Sequence, residues 1–441
     1  MKFRSCEIIS VGTELLLGDI INTDAAFLAR ELAALGIPCY HQSVVGDNPA
    51  RLRATLETAI SRSDLIFLTG GLGPTCDDLT KETAAALMGK TLVLHTRSYD
   101  RIRAVLQSRG LPETDNQKKQ AMLPADAVVF DNDYGTAPGF AMTAETAAGS
   151  VTMILLPGPP RELEPLFSER VRPYLAAQTE ETFFSLNIGM YGIGEAAVEQ
   201  LLRDRMENGR NPTVAPYCGE GEVRLRLTAR GRTEEECRAL CTQTAEEIRR
   251  VCCEPLRKGI LDDYIWGIDH NSMQQALVTL LREKHLTISA AESCTGGYVA
   301  KRITDVPGAS EVLSGTFVTY SETAKQTFAG VSADTLAAHS VYSAEVAAEM
   351  ARGCRRAFCA DIGIGITGIA GTDAITVLRG GQEVTLPAGT VFLACDAGGT
   401  VTTEQLTLSP GRRSPIEARE YIRRRASSHA IFMALRAAKG L

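Results

Sequence analysis

The chain has 441 residues, of which 44% are hydrophobic, 22% charged and 6% aromatic, with a net charge of -7. At about 150 residues per domain this length predicts roughly three domains, and the composition is that of a globular protein rather than a disordered one. The acidic balance argues against a general binder of nucleic acid or of membrane surfaces, which would need a basic excess toward phosphate.

The opening "MKFRSCEIISVGTE" runs straight into a strand-like segment. It lacks the apolar core and small-residue cleavage site of a secretion signal, and no run reaches the roughly 18 apolar residues of a membrane span. A cytoplasmic location is therefore expected. Twelve cysteines are scattered with none in Cys-x-x-Cys spacing. Without nearby histidines they read as reduced, partly buried small hydrophobes rather than zinc ligands.

Over residues 1–172, "CEIISVG", "PCYHQSVVGD", "DLIFLTGG" and "VTMILLPG" read as strands, and "DAAFLARELAAL" and "PARLRATLETAIS" carry apolar residues at helical spacing. Such alternation predicts a mostly parallel sheet with ligands at the carboxyl ends of its strands. Over 176–254 the pattern changes: in "EVRLRLTAR" Val223, Leu225 and Leu227 alternate with Arg224 and Arg226, which predicts a sheet with one buried face inside a small α+β module. Residues 255–271 show no sustained period and read as a linker. From 272 to 441 the alternation returns with "SMQQALVTLLREK" and "LTISAAE". The expected fold class is α/β, two α/β sandwich domains joined by a small α+β module.

In the first domain "TGGLGPTCDDLT" follows a strand and precedes a helix. Gly70, Gly71 and Gly73 let backbone amides approach phosphate oxygens, and Asp77 and Asp78 offer the hard oxygen ligands that Mg2+ prefers. The same stretch also suits a plain glycine-rich turn in which an Asp or Thr80 only caps the next helix. In the third domain "AESCTGG" sets Ser293 beside Cys294 at a strand-to-helix junction. There the amides of Thr295, Gly296 and Gly297 suit an oxyanion. Neighbouring residues leaving a strand point to opposite sides, so one of the two nucleophiles is expected to face a pocket. In "GTFVTYSETAKQTFAG" Ser321 is placed to cap a helix and Lys325 falls in its first turn. The helix dipole and burial would both favour a neutral amine that accepts a proton, with Tyr320 as a relay. A surface lysine and a core tyrosine are the plain alternative.

These stretches occur together with "SVGTELLLGDIINTD", "DYGTAPGF", "LPGPPREL", "YGIGEAAVEQLL", "NPTVAPYCGEGEVRLRLTA" and "GITGIAG", and the whole chain closely resembles the CinA (competence/damage-inducible) family. The resemblance implies a molybdopterin-binding-like first domain, a KH-like module and a C-terminal domain similar to the PncC-type nicotinamide mononucleotide (NMN) deamidases. For the first domain it implies metal-dependent hydrolysis of ADP-ribose, with Glu14, Asp77 and Asp78 near a divalent metal such as Mg2+. Gly70, Gly71, Gly73, Thr75, Thr80, Gly135 and Thr136 would then lie along the phosphates. For the C-terminal domain it implies Ser293 as nucleophile with Lys325 and Tyr320 moving the proton, and no cofactor. Thr295, Gly296, Gly297, Thr367, Gly368 and Gly371 would contact substrate, with Arg419 and Arg423 of "AREYIRRRASSHAI" on its phosphate.

Two features depart from expectation. The KH-like loop "GIGEAA" carries Glu195, and Ala196 where the family often has Ser; RNA-binding KH loops are basic. A spacer or a homodimer contact is the expected role, with no nucleic-acid partner. After "GITGIAG" the family continues with Pro and a Gly-Gly pair before "KPVGTV", whereas this chain reads "TDAITVLRGGQEVTLPAGTV", with Thr372 in place of the Pro. That loop is expected to border the nucleotide site.

Overall fold

The computed structural model describes residues 3–110, 112, 114–178, 182–219, 221–253 and 264–441. It divides into two compact units, Met1–Ser185 with Ala229–Ala239, and Leu186–Thr228 with Leu240–Leu441. No helix among the described residues is long and apolar enough to cross a membrane.

The first sheet uses β1 (Cys6–Val11), β2 (Cys39–Val45) and β3 (Leu65–Thr69). A small antiparallel pair, β4 (Leu92–Leu94) and β5 (Met122–Pro124), stands apart from it, and β6 (Val128–Phe130), β7 (Gly139–Thr146) and β8 (Gly149–Leu156) complete it. Its order is β2-β1-β3-β8-β7-β6, with β2, β1, β3 and β8 parallel and the last two antiparallel. Both faces of β1 and β3 are buried, which is why these strands read as continuous apolar runs. One face packs against the helix Thr23–Ala34 and the segment Leu163–Leu175, the other against Pro49–Ile60 and Thr80–Leu87. The carboxyl ends of the parallel strands are left to loops.

The middle module is a four-stranded sheet in the order β10-β11-β9-β12, formed by β9 (Thr182–Tyr191), β10 (Thr213–Gly219), β11 (Glu222–Gly231) and β12 (Ile265–Ile268). Along β11, Val223, Leu225 and Leu227 are buried while the arginines between them are partly exposed, as the alternation predicts. β12 lies in the stretch expected to be linker. At four residues it is too short to show a period, and only its antiparallel pairing with β9 makes it a strand. Residues 255–263 of that stretch lie outside the described residues.

The third sheet has the order β14-β13-β15-β18-β19. Strands β13 (Ile288–Glu292), β14 (Leu313–Val318) and β15 (Ile362–Gly368) are parallel, and β18 (Thr390–Ala397) and β19 (Thr400–Thr407) run antiparallel at the edge. Between β15 and β18 the chain makes a hairpin, β16 (Ile375–Arg379) with β17 (Gln382–Leu386). The last helix, Pro415–Gly440, opens with a capping box between Ser414 and Glu417 and packs along this domain's core. The fold is thus α/β, two sandwich domains with an α+β module between them in the chain.

Candidate active sites

A cavity of about 610 Å³ lies at the carboxyl ends of β13, β14 and β15, lined by Ser293, Cys294, Tyr320, Lys325, Gly371 and Arg419 among others. Ser293 directly follows β13, and its amide donates to the carbonyl of Ile366 on β15 (3.0 Å), which pins the turn to the sheet. Ser321 caps the helix Glu322–Ala329 by accepting from the amide of Ala324 (3.1 Å). That cap starts the helix where Lys325 turns inward. The lysine is 1% exposed, with Nζ 3.0 Å from Ser293 Oγ and 2.8 Å from the carbonyl of Thr319. Burial pulls its pKa down to about 8, against weaker upward pulls from Cys294 and Glu322. An appreciable neutral fraction is therefore present near pH 7, and a neutral amine can take the hydroxyl proton of Ser293.

Cys294 packs into the hydrophobic core of the domain, as expected of the residue that faces away, although it also borders the cavity. It is buried and its thiol is pushed up to about 12, chiefly by burial and then by Glu292. A thiol so placed holds almost no thiolate at neutral pH. Of the two adjacent side chains, it is the serine that has the lysine as a hydrogen-bond partner.

The helix start beyond the turn is also different from expectation. The helix is Tyr298–Thr304, and its amides at Val299 and Ala300 donate to the fully buried carboxylate of Glu292 (3.1 and 3.0 Å). The positive end of the helix dipole is thus answered by a protein carboxylate rather than left for a substrate anion. The amide of Gly296 is used as well, donating to Ser293 O at 3.0 Å. Gly296 and Gly297 have φ of +60 and +90, so their value here is the left-handed turn itself.

Tyr320 is 58% exposed, and its hydroxyl meets the guanidinium of Arg419 instead of Lys325. Both lie in the cavity lining, so a guanidinium is present there. Arg423 is spent elsewhere: its Nε donates to the carbonyl of Thr295 (3.1 Å), and its guanidinium lies 5.6 Å from the ring centre of Tyr298. It holds the nucleophile's turn. Thr367 is buried and donates to the carbonyl of Val341 (2.8 Å), behind the lining residues Gly368 and Val341. Glu322, Tyr342, Asp373 and Ile375 also line the cavity and were not singled out from the sequence.

In the first domain a cavity of about 530 Å³ gathers Glu14, Gly70, Gly71, Gly73, Asp77, Asp78 and Thr136 at the carboxyl ends of β1, β3 and β8. Gly71 is held at φ +66, and a Cβ there would fall 2.0 Å from Thr80 Oγ1, so the turn admits only glycine. Thr80 is buried behind that turn, and Thr75 binds Asp78 through its amide (2.9 Å) and its hydroxyl. Neither faces the cavity. Gly135 lines a smaller neighbouring cavity, which Thr136 shares.

Six carboxylates line the larger cavity, from Glu14, Asp24, Asp47, Asp77, Asp78 and Glu162, and no lysine or arginine does. Asp24 is 7% exposed, its Oδ1 has no hydrogen-bond partner, and burial followed by Glu164 raises its pKa to about 6. Among the described residues no group of three or more His, Cys, Asp or Glu side chains is placed to hold a metal ion. The expected trio shares one cavity and supplies hard oxygen donors, but it does not form a finished cage.

Comparison with known proteins gives three matches in chain order. Residues 7–177 match a probable molybdopterin binding domain, 185–267 the damage-inducible protein CinA KH domain, and 270–437 the CinA C-terminal domain. A putative competence-damage inducible protein of Moorella thermoacetica is 44% identical over 413 residues, 93% of this chain and 94% of its own length. A CinA-like protein of Dictyoglomus turgidum is 42% identical over 407 residues, 92% and 94% of the two chains. The crystal structure of a CinA protein from Thermoplasma acidophilum is 30% identical, covering 39% of this chain and 99% of that one, with a TM-score of 0.35. With relatives matched over nine-tenths of its length and all three domains in order, the chain belongs to the CinA family.

Proposed function

We propose that the C-terminal cavity hydrolyses the carboxamide of NMN to nicotinate mononucleotide and ammonia. The observation that carries this reading is Lys325, fully buried and 3.0 Å from Ser293 Oγ. The carbonyl of Thr319 fixes Nζ from one side. In the neutral amine the lone pair is then directed to the serine proton.

Ser293 Oγ attacks the carboxamide carbon as Lys325 takes its proton, and the same proton passes to the departing nitrogen, which leaves as ammonia. Water then adds to the acyl-serine with Lys325 again as base, releasing the carboxylate and restoring the hydroxyl. Arg419 offers a bidentate fork for the phosphate, with Tyr320 steadying its guanidinium. Ammonia release from NMN tests the reading. The wild type is expected to release it without added metal, Cys294→Ala to retain release, and Ser293→Ala to lose it. Binding of NMN without turnover in the wild type would make the domain a nucleotide sensor instead.

A second reading, for the first domain, rests on its acidic cavity: metal-dependent hydrolysis of ADP-ribose to AMP and ribose 5-phosphate. Six carboxylates with no lysine or arginine in the lining repel a pyrophosphate unless a cation accompanies it. A divalent ion would supply that charge, with Glu14, Asp77 and Asp78 as protein ligands beside water and phosphate oxygens. AMP formation from ADP-ribose that requires Mg2+ and disappears in Asp77→Asn, with ammonia release unchanged, is the expected result.

A further inference from the structure

The hairpin β16–β17 joins β15 to β18, and the serine-lysine chemistry does not use it. Its turn residues Gly380 and Gly381 have φ of +54 and +81, as a two-residue hairpin of the favoured twist requires. The hairpin is anchored at several points. The amide of Gly380 donates to Ala338 O (2.8 Å), and the Arg379 guanidinium meets the carbonyl of Tyr342 and lies 5.4 Å from the ring centre of Phe392. Ile375, Val377 and Val384 pack on Ile369, Leu386 and Phe392. This packing holds two hairpin-side residues, Asp373 and Ile375, in the wall of the cavity that contains Ser293, Lys325 and Arg419.

The charges of that wall divide by task. Lys325 is the buried base, and Arg419 stands ready for an anion. Glu322 begins the helix that carries Lys325, where a carboxylate complements the helix dipole. Asp373 belongs to no helix end, is exposed, and shares the cavity wall with the apolar Ile375 two positions on. A negative charge next to an apolar side chain suits a flat ring that carries a positive charge.

We propose that Asp373 is a specificity residue that selects substrates whose ring is a cation, a pyridinium rather than a neutral heterocycle. The hairpin serves as its rigid support. For the choice of ligand this rests on the deamidase reading. NMN places a positive ring next to the reacting carboxamide, whereas its 1,4-dihydro form has the same carboxamide, ribose and phosphate on an uncharged ring.

The test uses the full chain with Ser293→Ala, which holds ligand without turnover, titrated calorimetrically with NMN and with its dihydro form. Adding Asp373→Asn is expected to weaken NMN about fivefold at low ionic strength, the worth of one charge pair near water. Binding of the dihydro form should stay within about twofold, and the difference should shrink at high salt. Asp373→Lys should weaken NMN further with the melting temperature unchanged. Equal effects on both ligands, or no effect on either, overturn the proposal. Ammonia release by the chain with Ser293 intact is read in parallel. Turnover without any dependence on ring charge removes this proposal and leaves the deamidase reading. A ring-charge preference that depends on Asp373, in a chain that releases no ammonia, does the reverse.

Discussion

The two cavities occupy equivalent places in two α/β sheets, at the carboxyl ends of parallel strands, yet they differ in charge. The first is lined by six carboxylates and no lysine or arginine. The second pairs Glu322 and Asp373 with Lys325 and Arg419. On the proposed reading, the second site would carry out hydrolysis with its own lysine and arginine. On the second reading, the acidic cavity would instead take in a cation together with its phosphate. One architecture thus supports two electrostatic designs, chosen by loop residues rather than by the sheets.

The largest expected effect concerns the second site. Ser293→Ala should lower kcat for ammonia release by at least about a thousandfold, since burial keeps the neighbouring Cys294 as a thiol. Cys294→Ala should stay within a few-fold when normalised to folded protein; equal losses in the two variants would put an end to the contrast drawn between them. Next, Lys325→Met should cost about a thousandfold. In the wild type kcat/KM should rise about tenfold from pH 7 to pH 9, because the lysine, pulled down to about 8, must be neutral to act. A flat pH profile over that range would place the base elsewhere.

A smaller effect is expected in the acidic cavity, on stability. Asp24 titrates near 6 when folded and near 3.9 when unfolded. The penalty is therefore nearly absent at about pH 4 and below, and its full size, about 3 kcal/mol, applies above about pH 7. Asp24→Asn should then be more stable than wild type by about that amount at pH 7.5, and equally stable at pH 4, as read by denaturant unfolding. Destabilisation at pH 7.5 would mean that the carboxylate is satisfied in the apo protein. The smallest effect falls at the mouth of the second cavity. Arg419→Ala should raise KM for NMN about tenfold with little change in kcat, the mark of binding shared by ground and transition states, and Arg423→Ala should instead lower kcat by loosening the turn at Thr295.

Much of the architecture was legible in the chain. Buried parallel strands such as "DLIFLTGG" show as apolar runs, and β11 shows its buried face by strict alternation. Ser321 could be recognised as a cap because a hydroxyl before a helical run has a local use. Short elements were less visible: β12 has only its pairing with β9 to define it. The two nucleophiles of "AESCTGG" could not be told apart by alternation, which separates them without saying which one faces the pocket.

By itself the sequence determined the residue types available for chemistry, the order of the three domains, and, through its likeness to a family, which serine and lysine to pair. Tertiary structure alone decided how those residues are used. Burial lowered the pKa of Lys325, Glu292 took the amides of Val299 and Ala300 at the helix start, and Arg423 went to the carbonyl of Thr295 while Arg419 remained in the cavity. The physical reason is that a pKa and a hydrogen-bond partner are set by groups far apart in the chain. Ser293 and Lys325 are 32 positions apart, and Arg423 and Thr295 are 128 apart. Only packing brings such groups to hydrogen-bond distance.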